Sequence, residues 1–503
     1  MEKNNTKVFS AARVVLGYVG FNMMLVGFAV LTTLFTLIRY PEERAYAKYF
    51  IMTAIPAITI GILLFRPIHK KEKIELDKNH DNIIVVLTWL VAILICAFPY
   101  FLTGEYSFTQ SIFESTSGLT TTGLTVMNPD TLPKVFLMFR SITLYIGGIG
   151  IILIMTSLFA TSFGMRLYNA EGHPNKLIPN VIKSARMIVC IYTGYILMGI
   201  ILYTIFGMDS FDAINHSIAA VANGGFSTKS ASIGYYNSLP IEIITIVLMI
   251  LGGTNFLLNL MIIRGNVKLF FKHCETKLTL LIWIITVPIL SCVLLGTVCS
   301  VAGESFRIAV FHIVSAMATA GFQTVSSFEN WPAAGLMILS LLMIIGFQAG
   351  STAGGIKEYR IAIILKSMYY DVKSKLMKKR EIMPRKVNIY GEEKELTNER
   401  AFEAHNFAMV YLTVITLGTL IYTMCGYSLE KSLFEFSSIV GCVGLSAGIT
   451  GIGASDFVNW VAIVGMIIGR LDIYPAILVG LVSVRDIKSG VKNLLDKGGK
   501  DNV

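Results

Sequence analysis

The sequence predicts an all-α polytopic membrane protein in which two N-terminal transmembrane helices precede four copies of a unit, each made of a span, a short helix, a glycine loop and a second span, in pseudo-fourfold arrangement around one pore. Three observations carry that expectation. The 503-residue chain is 54% hydrophobic and only 15% charged, with mean hydropathy +0.66, too apolar for a soluble multidomain protein. Ten apolar runs, near 15–39, 50–66, 82–103, 135–161, 187–207, 238–263, 279–300, 335–366, 404–425 and 457–482, are candidates to cross a bilayer, whose core of ~30 Å takes about 20 helical residues. A segment rich in glycine and hydroxyls recurs four times between paired runs. The runs do not alternate in polarity, which excludes a membrane barrel.

The first run is longer than the apolar part of a signal peptide and has no small-residue cleavage site after it, so it reads as a retained helix. With the N-terminus cytoplasmic, segments 1–14, 66–81, 162–186, 264–278, 357–400 and 483–503 lie inside and hold 33 of the 42 Lys and Arg. That asymmetry sets the orientation, with both termini cytoplasmic. Topology, rather than nucleic-acid binding, then accounts for the net charge of +10, and the basic inner face suits anionic membrane lipid. The seven cysteines form no CxxC pair and six lie in or beside apolar runs, as buried small hydrophobes do.

The recurring segments are SGLTTTGLT (117–125), AAVANGGFST (219–228), SAMATAGFQT (315–324) and SIVGCVGLSA (438–447). Aligned on Gly123, Gly225, Gly321 and Gly444, the residue nine before is Glu114, His216, His312 or Glu435, and the residue six before is always small. Spacings of 102, 96 and 123 residues mark a fourfold internal repeat. The expected division is an N-terminal two-helix region (1–81), repeat 1 (82–165), repeat 2 (166–265), repeat 3 (266–370), a basic cytoplasmic linker (371–400), repeat 4 (401–485) and a cytoplasmic tail (486–503).

A helix of about ten residues cannot cross a bilayer; it dips in and returns, and its non-helical return leg must face protein or water because lipid offers no hydrogen bonds. Four such legs in one orientation fit around a common axis. Glycine there lets carbonyls aim inward, and Thr and Ser add oxygens without bulk. The C-terminal, negative end of each short helix points at the axis and favours a cation. The unit reads as a monovalent-cation filter.

TTTGL, NGGFST, TAGFQT and CVGLS resemble, in order and position, the filters of the Trk/Ktr/HKT superfamily of potassium transporters, and the resemblance covers roughly 80–485. It implies four M1-P-M2 repeats in one chain and K⁺ as the bound and transported ion. The ion-binding positions would be Thr121, Thr122, Gly123 and Leu124; Asn223, Gly224, Gly225 and Phe226; Thr319, Ala320, Gly321 and Phe322; and Cys442, Val443, Gly444 and Leu445. The two extra N-terminal spans and FRSITLYIGGIG (139–150) resemble the bacterial Trk-type pore subunit, whereas VGCVGLSAG (440–448) is closer to the Ktr type, which is Na⁺-dependent. The resemblance also implies a homodimer in the bacterial plasma (inner) membrane and a separate cytosolic, nucleotide-binding regulatory ring. Asn223 and Cys442, where the other two loops have Thr, make the filter irregular and its K⁺ over Na⁺ discrimination less sharp.

The eighth run contains GFQAGSTAGGIK (346–357). Gly346, Gly350 and Gly354 at four-residue spacing suit a helix-packing stripe, while Gly355 beside Gly354, with Ser351 and Thr352, favours a loop. The resemblance implies such an intramembrane loop, reaching to Lys357, as a gate. Arg470 lies deep in the last span, where a charge faces a cavity or partner; a salt bridge to Asp472 or snorkelling is the blander reading, and the resemblance implies an electrostatic barrier beneath the filter. Glu114, His216, His312 and Glu435 read as residues bracing the filter from behind, Arg140 as an anchor near the outer face, and KSKLMKKREIMPRK (373–386) as a solvated cytoplasmic stretch.

Other classes fit less well. A secondary carrier built on inverted repeats would alternate topology; these four units share one. No HExxH or GxSxG supports an enzyme, and no GxxxxGK[ST] or βαβ unit with GxGxxG supports nucleotide binding by this chain.

Overall fold

The computed structural model describes residues 2–66, 78–150, 181–377 and 384–477. The end of the run 135–161, most of the inner segment 162–186, residues 378–383 of the basic stretch, and the chain from 478 on, including the tail 486–503, lie outside the described residues.

The long apolar runs become helices because neither polarity alternation nor turn residues interrupt them. The helices Glu2–Thr32 and Ala47–Phe65 pack against each other through Gly20 and Gly61, where a methyl group on either would strike the other backbone. The turn between them carries Glu43, whose carboxylate accepts the N–H groups of Lys134 and Val135 at 2.7 and 2.8 Å. A remote acid thus caps a helix start and ties the N-terminal pair to the first repeat.

The first helix of each repeat is continuous: Lys78–Phe101, Val181–Ile205, Cys274–Leu294 and Asn398–Met424. A short helix follows each: Phe108–Leu119, Ser210–Ala222, Ala302–Met317 and Leu429–Gly441. The first of these starts in a capping box between Ser107 and Gln110. The second long helices, Lys134–Ile149, Leu239–Gly253, Ala333–Ile345 and Asp456–Arg470, have 16, 15, 13 and 15 residues, less than the ~20 a full span needs. All four stop at the same level, at Gly150, Thr254, Gly346 and Leu471, 25 to 29 residues beyond the aligned glycine.

One expectation changes here. The run 238–263 is not one span but two helices, Leu239–Gly253 and Phe256–Ile263, bent by 113°; Thr254 is extended, and the Asn255 side chain caps the second helix by accepting from Leu257 N–H. The run 335–366 is divided at the glycine loop that its sequence favours: Ala333–Ile345 and Glu358–Leu376 are separated by 346–357.

Three buried apolar clusters close the repeats into a ring. One joins the N-terminal helices to repeats 1 and 4 (Phe50, Trp89, Phe136, Tyr422, Met466). Another joins repeats 1, 2 and 3 (Leu144, Tyr192, Leu248, Phe322), and the third joins repeats 3 and 4 (Leu290, Met343, Phe434, Leu445).

The described residues of the basic stretch 373–386 are largely exposed, and a small hairpin follows them. Strands Lys386–Ile389 and Glu392–Glu395 pair antiparallel around a Tyr390-Gly391 turn. On its exposed face Lys386 lies 2.8 Å from Glu393, and hydrogen bonding to that ammonium lowers the Glu393 carboxyl below its usual range.

Candidate functional site

The four short helices end identically. In each, the residue two before the aligned glycine is left-handed: Thr121, Asn223, Thr319 and Cys442, at φ 56°, 52°, 55° and 52°. Its N–H bonds the carbonyl three back (Gly118, Ala220, Ala316, Ile439), and the next N–H bonds the carbonyl five back (Ser117, Ala219, Ser315, Ser438). This is a Schellman cap, in which glycine is the usual left-handed residue. Side chains replace glycine here because they are used. Thr319 Oγ1 accepts Gly354 N–H at 2.8 Å, Asn223 Nδ2 donates to the Ala318 carbonyl at 2.7 Å, Thr121 Oγ1 accepts from Arg470 at 3.4 Å, and Cys442 Sγ lies 3.7 Å from the Met466 carbonyl.

The chain then turns at the aligned glycines, whose φ values of 87°, 60°, 76° and 102° only glycine adopts freely. Their Cα atoms face each other's carbonyls in a closed cycle. A methyl group on Gly123 would overlap the Gly224 oxygen, one on Gly225 the Ala320 oxygen, one on Gly321 the Val443 oxygen, and one on Gly444 the Thr122 oxygen. The oxygens at one equivalent position of all four loops therefore meet around a single axis. Leu124, Phe226, Phe322 and Leu445 turn their side chains into the apolar clusters. The Phe322 carbonyl is taken by the Ser315 hydroxyl at 2.7 Å.

A second layer fixes the return legs. Glu114 accepts from Thr125 Oγ1 at 2.9 Å and Val126 N–H at 3.2 Å; His216 Nε2 pairs with Ser227 Oγ at 2.9 Å; His312 Nε2 accepts Thr324 N–H at 3.3 Å; Glu435 accepts from Ser446 Oγ and Ala447 N–H, both at 2.8 Å. The partner is eleven or twelve residues downstream in every repeat. Arg140 is not an outer-face anchor. It lies 2.9 Å from Glu114, the two side chains 2% and 0% exposed, with its guanidinium 4.0 Å from the Phe226 ring centre and 3.4 Å from the Ser227 carbonyl. The cation offsets the cost of burying this carboxylate, and the pair ties repeat 1 to the loop of repeat 2.

Above the ring lies an open cavity that touches Gly123, Gly225, Gly321 and Gly444. A second, much smaller cavity touches Cys442, Gly350, Gly354, Gly355, Lys357 and Arg470. The repeat 4 loop lines both, through Gly444 in the first and Cys442 in the second.

Segment 346–357 is a loop, not a packing stripe, and it reaches all four repeats. Thr352 Oγ1 donates to the Gly252 carbonyl at 3.0 Å and the Val221 carbonyl at 3.2 Å. Gly354 bonds Thr319 and lies against the Gly441 carbonyl so closely that a methyl group would overlap it. Ser351 Oγ donates to the Gln348 carbonyl at 2.7 Å, Lys357 Nζ donates to the Ala353 carbonyl, and Gly346 rests on Gly354 and Gly355. Arg470 supplies the link to repeat 1, bonding Thr121, the Thr352 carbonyl at 3.2 Å and the Gly147 carbonyl. Asp472 pairs instead with Arg360 at 3.4 Å.

Sequence reasoning missed the glycines that seat the short helices. Gly147, Gly252 and Gly469 press on the carbonyls of Leu119, Val221 and Val440, each four before an aligned glycine. The signal was available as a glycine 24 to 27 residues after each loop glycine.

The family model described as "TrkH: Cation transport protein" matches residues 47–486. The Trk system potassium uptake protein TrkH of Escherichia coli (strain K12) is 31% identical over 450 residues, covering 86% of this chain and 91% of that protein. TrkG of the same strain is 29% identical over 493 residues, covering 93% and 98%. The crystal structure of the potassium transporter TrkH from Vibrio parahaemolyticus superposes with a TM-score of 0.81 at 27% identity, over 93% of this chain and 98% of that one.

Proposed function

Because the chain belongs to the TrkH family of cation transport proteins, we propose that it is a K⁺ uptake protein whose ions cross at the ring formed by the four glycine loops. The closed cycle of glycines and neighbouring carbonyls carries this reading. Oxygens converging on one axis replace the water shell of an alkali cation, and four short helices aim their negative ends at it. The relatives named as potassium uptake proteins support K⁺ as the ion. The membrane potential drives uptake, at about 2.3 kcal/mol per charge per 100 mV.

In this proposal the ion-binding groups are backbone oxygens in 121–124, 223–226, 319–322 and 442–445, with those of Thr122, Gly224, Ala320 and Val443 foremost. Segment 346–357 obstructs the path beneath them, and Arg470 adds a positive charge against cations there. Support comes from the loop's bonds to Val221, Thr319 and Arg470 at the floor of the ring. A homodimer in the bacterial inner membrane, cytoplasmic termini and a nucleotide-binding cytosolic ring on the basic face complete the proposal; light scattering of the solubilised chain tests the dimer.

The deciding experiment is uptake of K⁺, Rb⁺ and Na⁺ into liposomes by the wild type and Gly321→Ser. The serine Cβ falls on the Val443 oxygen, so K⁺ preference is expected to drop sharply. Unaltered preference would overturn the reading.

A further inference from the structure

The hairpin between the third and fourth repeats has an unusual tip. A two-residue turn with both φ values positive favours Asn or Asp before Gly. Here Gly391, at φ 86°, is preceded by Tyr390 at φ 54°, a strained conformation for a bulky aromatic, and such strain persists only where the surroundings impose it. The surroundings are specific. The Tyr390 ring stacks on His273, centroids 4.9 Å apart and planes 11° from parallel.

Two hydrogen-bonded routes lead from this tyrosine to one residue of the pore loop. On the first, Tyr390 N–H donates to His273 Nδ1 at 3.0 Å, which assigns the ring proton to Nε2. Nε2 donates to Glu275 at 2.8 Å, and the other oxygen of Glu275 accepts Ala349 N–H at 2.8 Å. On the second, Asn255 Nδ2 donates to Tyr390 Oη at 3.1 Å and also to the Ala349 carbonyl. Asn255 sits at the bend of repeat 2, and the next residue, Phe256, donates its N–H to the Gly350 carbonyl at 3.1 Å. Both backbone polar groups of Ala349, within segment 346–357, are thus linked to the hairpin tip. The strand Glu392–Glu395 on the far side is exposed along its length.

We propose that Tyr390 is a positioning residue for the pore loop: the hairpin is a latch that holds Ala349 and Gly350 in the obstructing arrangement through His273, Glu275 and Asn255, so that displacing it from the cytosolic side opens the path. The inference rests on the gating reading of 346–357.

The test uses the full chain in liposomes, reading rubidium flux, K⁺ over Na⁺ preference and thermal unfolding for Tyr390→Phe, Tyr390→Gly and Arg470→Ala. Tyr390→Phe removes the hydroxyl and keeps the ring; Tyr390→Gly deletes the ring and suits the turn, so the hairpin is retained. Each Tyr390 variant is expected to raise flux, by about fivefold for the loss of one net hydrogen bond from the obstructed state, with Gly exceeding Phe and ion preference unchanged. A tyrosine that merely stabilised the fold would lower flux or leave it alone. If Tyr390→Gly lowers the unfolding temperature, Tyr390→Phe decides. Wild-type flux in folded Tyr390 variants, with raised flux in Arg470→Ala, overturns the latch and leaves the gate standing. Wild-type flux in all three overturns both.

Discussion

Arg140 and Glu114 form an ion pair of 2.9 Å that is shut away from solvent behind the carbonyl ring. Removing one partner strands the other charge, which costs ~3–5 kcal/mol in buried pairs. Arg140→Leu is therefore expected to lower the thermal unfolding temperature of the solubilised protein markedly. Adding Glu114→Gln should recover most of the loss, because Gln keeps an acceptor for Thr125 and Val126. A double variant no better than the single would sink this account.

Thr319 and Gly354 connect the ring to the loop beneath it through one hydrogen bond of 2.8 Å. Thr319→Val keeps the branched shape and removes the acceptor. On the proposed gating role of the loop, losing about 1 kcal/mol from the obstructed state is expected to raise the open fraction roughly fivefold. Single-channel recording in planar bilayers checks this; an unchanged open probability argues against the loop as gate.

Arg470 combines charge with geometry, and two substitutions separate them. A unit charge ~8 Å from a passing cation at an effective dielectric of ~20 opposes it by ~2 kcal/mol, roughly thirtyfold in rate. Arg470→Ala is expected to raise flux by about that factor. Arg470→Lys keeps the charge but cannot span Thr121, Thr352 and Gly147 together, so it should raise flux much less. Equal flux in the two variants would remove the electrostatic role.

Glu43 serves the scaffold alone. Its two bonds to Lys134 and Val135 act as a helix cap, and Glu43→Ala is expected to cost ~0.5–2 kcal/mol of stability. Uptake per folded molecule should stay at the wild-type level, measured by flux normalised to monodisperse protein.

The four loops were legible because each repeats a glycine at a fixed distance from a small residue and a buried polar one, a pattern that survives the change from Glu114 to His216. The loop at 346–357 was legible because Gly354-Gly355 is incompatible with a firm helix. The bend at Thr254 was not: the run 238–263 is almost wholly apolar, and only the order Gly252-Gly253-Thr254-Asn255 marks a stop followed by a new cap. Arg140 was misplaced because its partner is on another helix, and a lone arginine in an apolar run gives no direction for its pair. The hairpin was hidden by charge: VNIYGEEK has the alternation and glycine turn of a β-hairpin, but the basic run before it reads as solvent-exposed.

The head-to-tail abutment of glycine against carbonyl has a mechanical consequence. Each quadrant is braced by the one after it and the last by the first, like staves in a hoop. No stave can swing outward alone without loosening its neighbour, so the aperture is set by the whole circle. Chemical differences among Thr121, Asn223, Thr319 and Cys442 can adjust one quadrant's attachments while the bore keeps a common diameter.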